Sequence, residues 1–482
     1  MTRSSWNWVI VLSLAALVTW TAARSATPKD EDAELYRLFV DALEHVDRSY
    51  VKPVDRRKLI ESAIGGMLEE LDPYSNFIPP QEYKQFNRAT TGKFGGVGIQ
   101  VGPKRMSDAY LQVVSPLVGT PAYEAGVLAG DRIFSVDGKP LEGMTQAEVV
   151  ERLTGEPGTQ VRITVQHRPY DSEPFEVDLT RAEINIETVM GDKHGDDDSW
   201  DFMIDKENKI GYVRVLSFTQ RTADDLKAAL QKLEAEGARG LVLDLRNNPG
   251  GLLPAAVAVC DLFLDEGVIV GTKGRNTEDK RFTASPGQLL KNAPIAVLVN
   301  NASASASEIV SACLQDHKRA IVVGERTFGK GSVQNVIELD GGKSALKLTT
   351  AGYHRPSGKN IHKFPDSKEE DEWGVRPDEG FEVKLSNEEQ QKYFLWRSQR
   401  DRALGKASER EKVRRREEEK AKQVETRPAP PDGVESKPAA APAESGENPT
   451  DDAEIEDFKD PQMDKALEYI RARLGDAARK AA

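Results

Sequence analysis

Four short apolar runs, at residues 210–215, 241–245, 295–299 and 321–323, alternate with segments of helical periodicity. Runs of this length bounded by Gly, Pro, Asn or Asp read as strands. Leu226, Leu230 and Leu233 behind Thr222, and the stretch 254–264, carry the three-to-four spacing of helices. The alternation confines residues 183–385 to a mixed α/β body. Asp340-Gly341-Gly342, between the strand-like runs 333–339 and 344–350, adds a β-hairpin, because a tight turn demands positive φ.

Residues 93–182 follow another grammar. Gly95-Gly96-Val97-Gly98-Ile99 opens it, a strand is expected from Tyr110 to Val114, and a short helical turn from Pro121 is stopped by Gly126. A strand at 132–136 ends in Asp137-Gly138, Thr145 and Glu148 form a capping box for a helix reaching Leu153, and Val161, Ile163 and Val165 alternate as a strand. This order resembles a PDZ domain. In that family the loop matched by Gly96, Val97, Gly98 and Ile99 binds a peptide carboxylate, since successive backbone N–H groups form a nest for an anion. Ahead of it, residues 27–92 carry two helical stripes, Leu35 to Tyr50 and Leu59 to Leu71, expected as a helical hairpin packed on a neighbour.

Arg3, an apolar stretch from Trp8 to Trp20 and small residues through Ala26 have the layout of a secretory signal, so residues 1–26 are expected as a signal peptide or membrane anchor. The stretch falls short of the ~20 apolar residues of a comfortable span. The protein is therefore expected to be exported, periplasmic or extracellular. A net charge of -13 argues against a nucleic-acid partner. Cys260 and Cys313 sit in apolar helical patterns and read as core residues. Residues 386–455 are highly charged and then Pro-rich, which reads as a disordered linker. At 456–482 an amphipathic helix with Met463, Ala466, Leu467, Ile470 and Leu474 reads as a docking or dimer face.

Ser303-Ala304-Ser305-Ala306-Ser307-Glu308 packs small residues around a hydroxyl at a strand-to-helix turn, and Gly329-Lys330-Gly331 holds one lysine between glycines. A serine becomes a nucleophile when a base takes its proton, and a desolvated lysine can be that base. These motifs, with Leu71 to Ser75, Leu243 to Gly251, Phe328 to Gln334 and Asp460 to Leu467, resemble the C-terminal processing peptidases, the Ser-Lys serine peptidase family S41 with a PDZ domain. The resemblance implies a crotonase-like α/β protease core into which the PDZ domain is inserted. It implies Ser305 as nucleophile, Lys330 as general base, Gln334 as its orienting partner and Asp316 as a supporting carboxylate. It places the backbone N–H groups of Gly251 and Ala306 in the oxyanion hole, where a glycine lets the backbone approach substrate and a helix N-terminus favours negative charge. No cofactor or metal is called for. The implied partners are proteins or peptides with a free, apolar C-terminus. The N-terminal segment would supply any membrane anchoring and the terminal helices any homo-oligomer.

Other readings compete with this one. Ser303 and Ser307 could be simple helix caps. Residues 324–330 satisfy GxxxxGK, but position 331 is Gly where a P-loop needs Ser or Thr. A Ser-His hydrolase would rest on His317, a lone histidine in a charged run, without a GxSxG elbow. A non-catalytic PDZ scaffold would bind tails without cutting them. The sequence also departs from the family at Thr154-Gly155, where a basic residue often precedes the glycine, and in the long insert before Asp460.

Overall fold

The computed structural model describes residues 30–195, 197–403, 405–406, 414 and 458–481. The signal or anchor expected at 1–26, and most of the linker, lie outside them. The chain divides into two compact units, residues 1–80 with 335–348, and 81–334 with 349–482.

In the first unit, helices Asp30–Ser49 and Arg56–Glu69 are followed by a short strand, Asn76–Ile78, antiparallel to 345–347 in register Phe77↔Leu346. Asp55 caps the second helix by accepting from the N–H groups of Arg57 and Lys58. The expected pair of helices is present, and on this chain Leu35, Leu38, Phe39 and Val46 of the first are exposed.

The second unit contains the PDZ domain and the α/β core. Strands Ile99–Val101, Leu111–Pro116, Arg132–Val136, Gln160–Gln166 and Phe175–Thr180 form one antiparallel sheet in that order. Helix Gln146–Leu153 begins at the expected capping box, Thr145 N–H donating to Glu148 (2.7 Å) and Glu148 N–H to Thr145 Oγ1 (3.3 Å). Val149 and Leu153 meet Ile133, Val161 and Ile163 in a separate core. Lys93–Gly96 pairs with Ala182–Asn185, so the insertion leaves and re-enters the chain at one place.

In the α/β core, strands Ile210–Val215, Gly240–Asp244, Ile295–Val299 and Ile321–Gly324 run parallel, in registers such as Leu241↔Ile295 and Val297↔Val322. Helices Thr222–Ala235, Leu253–Asp261 and Ala306–Asp316 cover one face, where Leu226, Leu230, Val259 and Val310 pack on Val213, Leu243 and Val297. The C-terminal helix Pro461–Ala481 covers the other, setting Met463, Ala466, Leu467 and Ile470 on Tyr212, Val242, Ala296, Leu298 and Val323. A sheet covered on both faces is why its strands read as near-continuous apolar runs, interrupted by charge only at Arg214 and Asp244. Of the two expected roles for the terminal stripe, docking or dimer face, the structure uses it to dock on the chain's own sheet. Cys260 and Cys313 are free and buried, as expected.

The linker reading at 386–455 needs a correction at its start. Residues Asn387–Arg400 form a helix with a Ser386/Glu389 capping box. The charges near its C-terminal end are partnered. Arg397 and Arg400 meet Asp192, Arg397 also meets Asp401, and Tyr393 and Trp396 stack near Phe458. Among the described residues no helix is long and apolar enough to cross a membrane, and no cluster of His, Cys, Asp and Glu could hold a metal.

Candidate active site

Three site segments leave the C-terminal ends of three neighbouring parallel strands, the place where α/β sheets build their crevices. Gly240–Asp244 leads to Gly251, Ile295–Val299 to Ser305, and Ile321–Gly324 to Lys330.

Ser305 is buried and stands immediately before helix Ala306–Asp316 with φ 54° and ψ -110°. A non-glycine residue at positive φ is strained, and such strain is kept where the surroundings impose it. The neighbouring serines are occupied elsewhere. Ser303 donates to Leu245 O (2.8 Å) and Ser307 to Asn248 O (2.9 Å). The Ser305 side chain lies near the Tyr353 phenol: burial pushes that phenol up to about 12, while the nearby serine pulls the other way.

The glycines of 250–251 are required by contact as well as by φ. A Cβ on Gly250 (φ 101°) would come within 2.8 Å of Ser305 Cβ and 3.0 Å of Ala306 N, and one on Gly251 (φ 147°) within 2.2 Å of Phe218 O. The loop thus lies directly against the Ser305 turn. The N–H of Asn248 side chain fixes it to Val215 O (2.7 Å), and Gly250 O accepts from Phe218 N–H (3.0 Å).

Glu308 unites the serine and lysine segments. It is fully buried, and its Oε2 accepts from the backbone N–H of both Ser305 (2.8 Å) and Lys330 (2.8 Å). Its Oε1 accepts from Gly329 N–H (2.6 Å) and the Thr327 hydroxyl (2.6 Å). The backbone nitrogens of the two candidate catalytic residues therefore lie within two hydrogen-bond lengths of each other. Burial pushes the Glu308 carboxyl up to about 7 against the pull of these four donors. The sequence reading of the glycine-flanked lysine gives it no such partner, although Glu308 stands in the serine motif itself. Its acid group in an otherwise small, apolar helix start was the available signal. Tyr353 lies in strand Ser344–His354, distant in sequence, and no motif marked it.

Lys330 is half-buried, and its loop is threaded tightly: a Cβ on Gly331 would come within 2.3 Å of His362 N. The N–H groups a P-loop would offer to phosphate are those that donate to Glu308. Gln334 lies four residues on and donates to Ser332 Oγ (2.8 Å) and Thr349 Oγ1 (3.3 Å). Asp316 does not join the cluster. It ends the eleven-residue helix that Ser305 begins, about 16 Å along, and binds Arg355 through both oxygens (2.9 and 2.6 Å). Burial alone would raise its carboxyl, but the Arg355 bonds bring it below the usual range. His317 follows it and its Nε2 meets Val268 O (2.8 Å).

In the PDZ domain Gly96, Val97 and Gly98 are buried and Ile99 half-buried. Val97 O accepts from Ala122 N–H (2.9 Å), and Gly98 O from Leu117 N–H (2.9 Å) and the Thr120 hydroxyl (3.1 Å). In planar trans peptides this turns the N–H groups of Gly98 and Ile99 to the opposite side.

An α/β core that joins a strained serine to a glycine-flanked lysine at its strand ends, and carries an inserted PDZ domain, has the make-up of a peptidase. Comparison with known proteins agrees. The family model of peptidase family S41 matches residues 209–380, a PDZ-domain model residues 112–167, and the model of the activating protease CtpB N-terminal domain residues 15–81. A carboxy-terminal-processing protease of Bartonella bacilliformis is 40% identical over 404 residues, covering 80% of this chain and 87% of its own. A carboxyl-terminal-processing protease of Synechocystis is 37% identical, covering 70% and 74%. Among solved structures, a photosystem II D1 C-terminal processing protease is 33% identical over 72% of this chain and 92% of its own, with a TM-score of 0.40. The chain belongs to peptidase family S41, among the carboxy-terminal-processing proteases.

Proposed function

We propose that this protein is an exported serine endopeptidase that captures the C-terminal tail of protein substrates in its PDZ domain and cleaves upstream with Ser305 and Lys330. The observation that carries the reading is the single buried carboxylate of Glu308, which binds the backbone of both residues. Lys330 would take the Ser305 proton as Oγ attacks the peptide carbonyl. The resulting oxyanion would be met by the N–H groups of Ala306 and Gly251, the first at a helix N-terminus where positive potential is highest. Collapse would expel the leaving amine, protonated by the lysine, and water would release the acyl-enzyme. Gln334, its amide nitrogen directed at Ser332 and Thr349, would offer its oxygen to Lys330. Asp316, held by Arg355, would act on the end of the helix and not on the lysine. The Gly98 and Ile99 N–H groups would receive the substrate's terminal carboxylate. The apolar segment at residues 8–20 supports export to a periplasmic or extracellular location.

The test is cleavage of an unstructured, apolar-tailed polypeptide as free acid and as C-terminal amide, by the chain lacking residues 1–26, followed by mass spectrometry. Ser305→Ala should cut neither. The amide should be cut more slowly at the same bond, and equal rates would remove the PDZ domain from capture.

Tyr353 supplies a finer prediction. Its phenol keeps its proton at any working pH, so it would meet Ser305 as a neutral hydroxyl able to donate or accept. Tyr353→Phe preserves the ring and removes the hydroxyl, whose bond to Ser305 during the reaction would be worth about 1–1.5 kcal/mol. The kcat should fall roughly tenfold with KM unchanged. An unchanged kcat would make the contact incidental.

A further inference from the structure

The loop that ends in Gly251 begins in a buried polar network whose far side is supplied by the other end of the chain. Arg246 follows Asp244, the last residue of its strand, and both are almost entirely excluded from solvent. Asp244 Oδ1 accepts from the backbone N–H of Arg246 (3.0 Å), and its Oδ2 accepts from the guanidinium (2.7 Å) and the Tyr212 hydroxyl (2.9 Å). The remaining nitrogen of the fork, Nη1, donates to Asp460 Oδ2 (2.8 Å) and Gln462 Oε1 (3.0 Å). Tyr393 lies against the guanidinium, 4.5 Å from its ring centre.

Both C-terminal partners are themselves fixed. Asp460 Oδ1 accepts from the N–H groups of Gln462 and Met463 (both 3.1 Å), which caps the terminal helix, while its other oxygen faces Arg246. Gln462 Nε2 donates to Val383 O (2.8 Å). The apolar stripe behind them sits on the central sheet. A buried guanidinium between two carboxylates is held in one orientation, because loss of either partner leaves an uncompensated charge in a dry interior.

We propose that Asp460 and Gln462 are positioning residues of the reaction: they hold Arg246, and Arg246 holds the start of the loop that presents Gly251 to the oxyanion. The proposal rests on the serine-peptidase reading above. Asn247 and Asn248 are all that separates Arg246 from Pro249 and the two glycines. Rotation of the guanidinium would therefore be passed directly to backbone that lies against Ser305 and Ala306. A displacement of about 1 Å there is enough to cost on the order of a hundredfold in rate. The head of the terminal helix thus serves the active site, in addition to covering the sheet.

The test compares Asp460→Asn, which keeps the shape and the helix cap but removes the charge, with Ile470→Ala. The latter hollows the same helix interface away from Arg246. Asp460→Asn should lose about a hundredfold in kcat with KM within twofold. Inhibition by a peptide aldehyde, whose adduct with Ser305 carries an oxyanion, should weaken by a similar factor. Binding of the uncleaved peptide in a Ser305→Ala background should stay within twofold. Ile470→Ala should lower the melting temperature yet lose far less kcat than Asp460→Asn. If Asp460→Asn does not accumulate as folded protein, Gln462→Leu carries the same expectations. A folded variant with kcat within threefold of the parent overturns the proposal, as does an equal loss of kcat in Ile470→Ala. A parent that does not cleave, or an active Ser305→Ala, overturns the serine-peptidase reading and this one with it. A cleaving parent beside an equally fast Asp460→Asn overturns the positioning role alone.

Discussion

Lys330→Met is expected to leave a folded protein that binds substrate tails and cuts nothing, with kcat down by about 10⁴-fold or more. Methionine approximates the length of the lysine stem without its amine, and the backbone N–H of residue 330 would still reach Glu308. Lys330→Arg should be equally inert, because a guanidinium keeps its proton at any working pH. His317→Ala provides the contrast. That histidine sits past the far end of the nucleophile's helix, its ring bound to Val268 O. Its removal should leave kcat within about twofold, since nothing it touches reaches Ser305. Steady-state cleavage of one apolar-tailed peptide by the three variants decides the matter. An active Lys330→Met beside an inactive His317→Ala would restore the serine–histidine alternative.

Glu308→Gln should be the second most damaging change, and it should act on stability as well as rate. All four of its contacts are N–H or O–H donors. An amide presents only one oxygen, so its NH₂ would confront donors and leave about two of them buried and unpaired. At about 1–3 kcal/mol for each, the loss of stability should be roughly 2–6 kcal/mol. Because two of those donors are the backbones of Ser305 and Lys330, kcat should fall by about a hundredfold or more in whatever protein remains folded.

The same residue sets a pH dependence. Its carboxyl titrates near an ordinary 4.5 when unfolded and is raised to about 7 when folded, chiefly by burial. Between those values the native state holds the proton that the unfolded state has released. Stability from this group is therefore full below about 4.5 and is lost as pH rises through about 7, on the order of 3 kcal/mol in all. Urea unfolding of the parent and of Glu308→Gln across that window should give a difference that shrinks as pH rises. A constant difference would mean that the Glu308 carboxyl is not the titrating group.

Much of the fold was legible along the chain. The runs 210–215 and 295–299 coincide with the observed strands, and the Thr145/Glu148 capping box opens its helix as expected. These features are local: strand length, helical spacing and caps are set by residues a few positions apart. The errors fell where a charge or an apolar side chain meets a distant partner. Residues 387–400 read as the start of a charged linker, yet they form a helix whose Arg397 and Arg400 are paired with Asp192, some two hundred positions earlier. The stripe Leu35 to Val46 reads as a face for a neighbour, and Leu35, Leu38, Phe39 and Val46 find no cover within the described residues of this chain.

The candidate site divides in the same way. The motifs brought Ser305, Lys330 and the glycines 250–251 to attention because close packing and positive φ demand small residues at fixed places, a demand written into the chain itself. The sequence alone thus determined the α/β class, the inserted PDZ domain and which residue types could do the chemistry. Only the tertiary structure decided how Glu308 holds the serine and lysine segments together, that Tyr353 touches Ser305, that Asp316 belongs to Arg355, and that Asp460 and Gln462 close on Arg246. Each of those depends on one buried polar group choosing among many chemically equal partners. The choice is made by the strand order, which spacing along the chain does not encode.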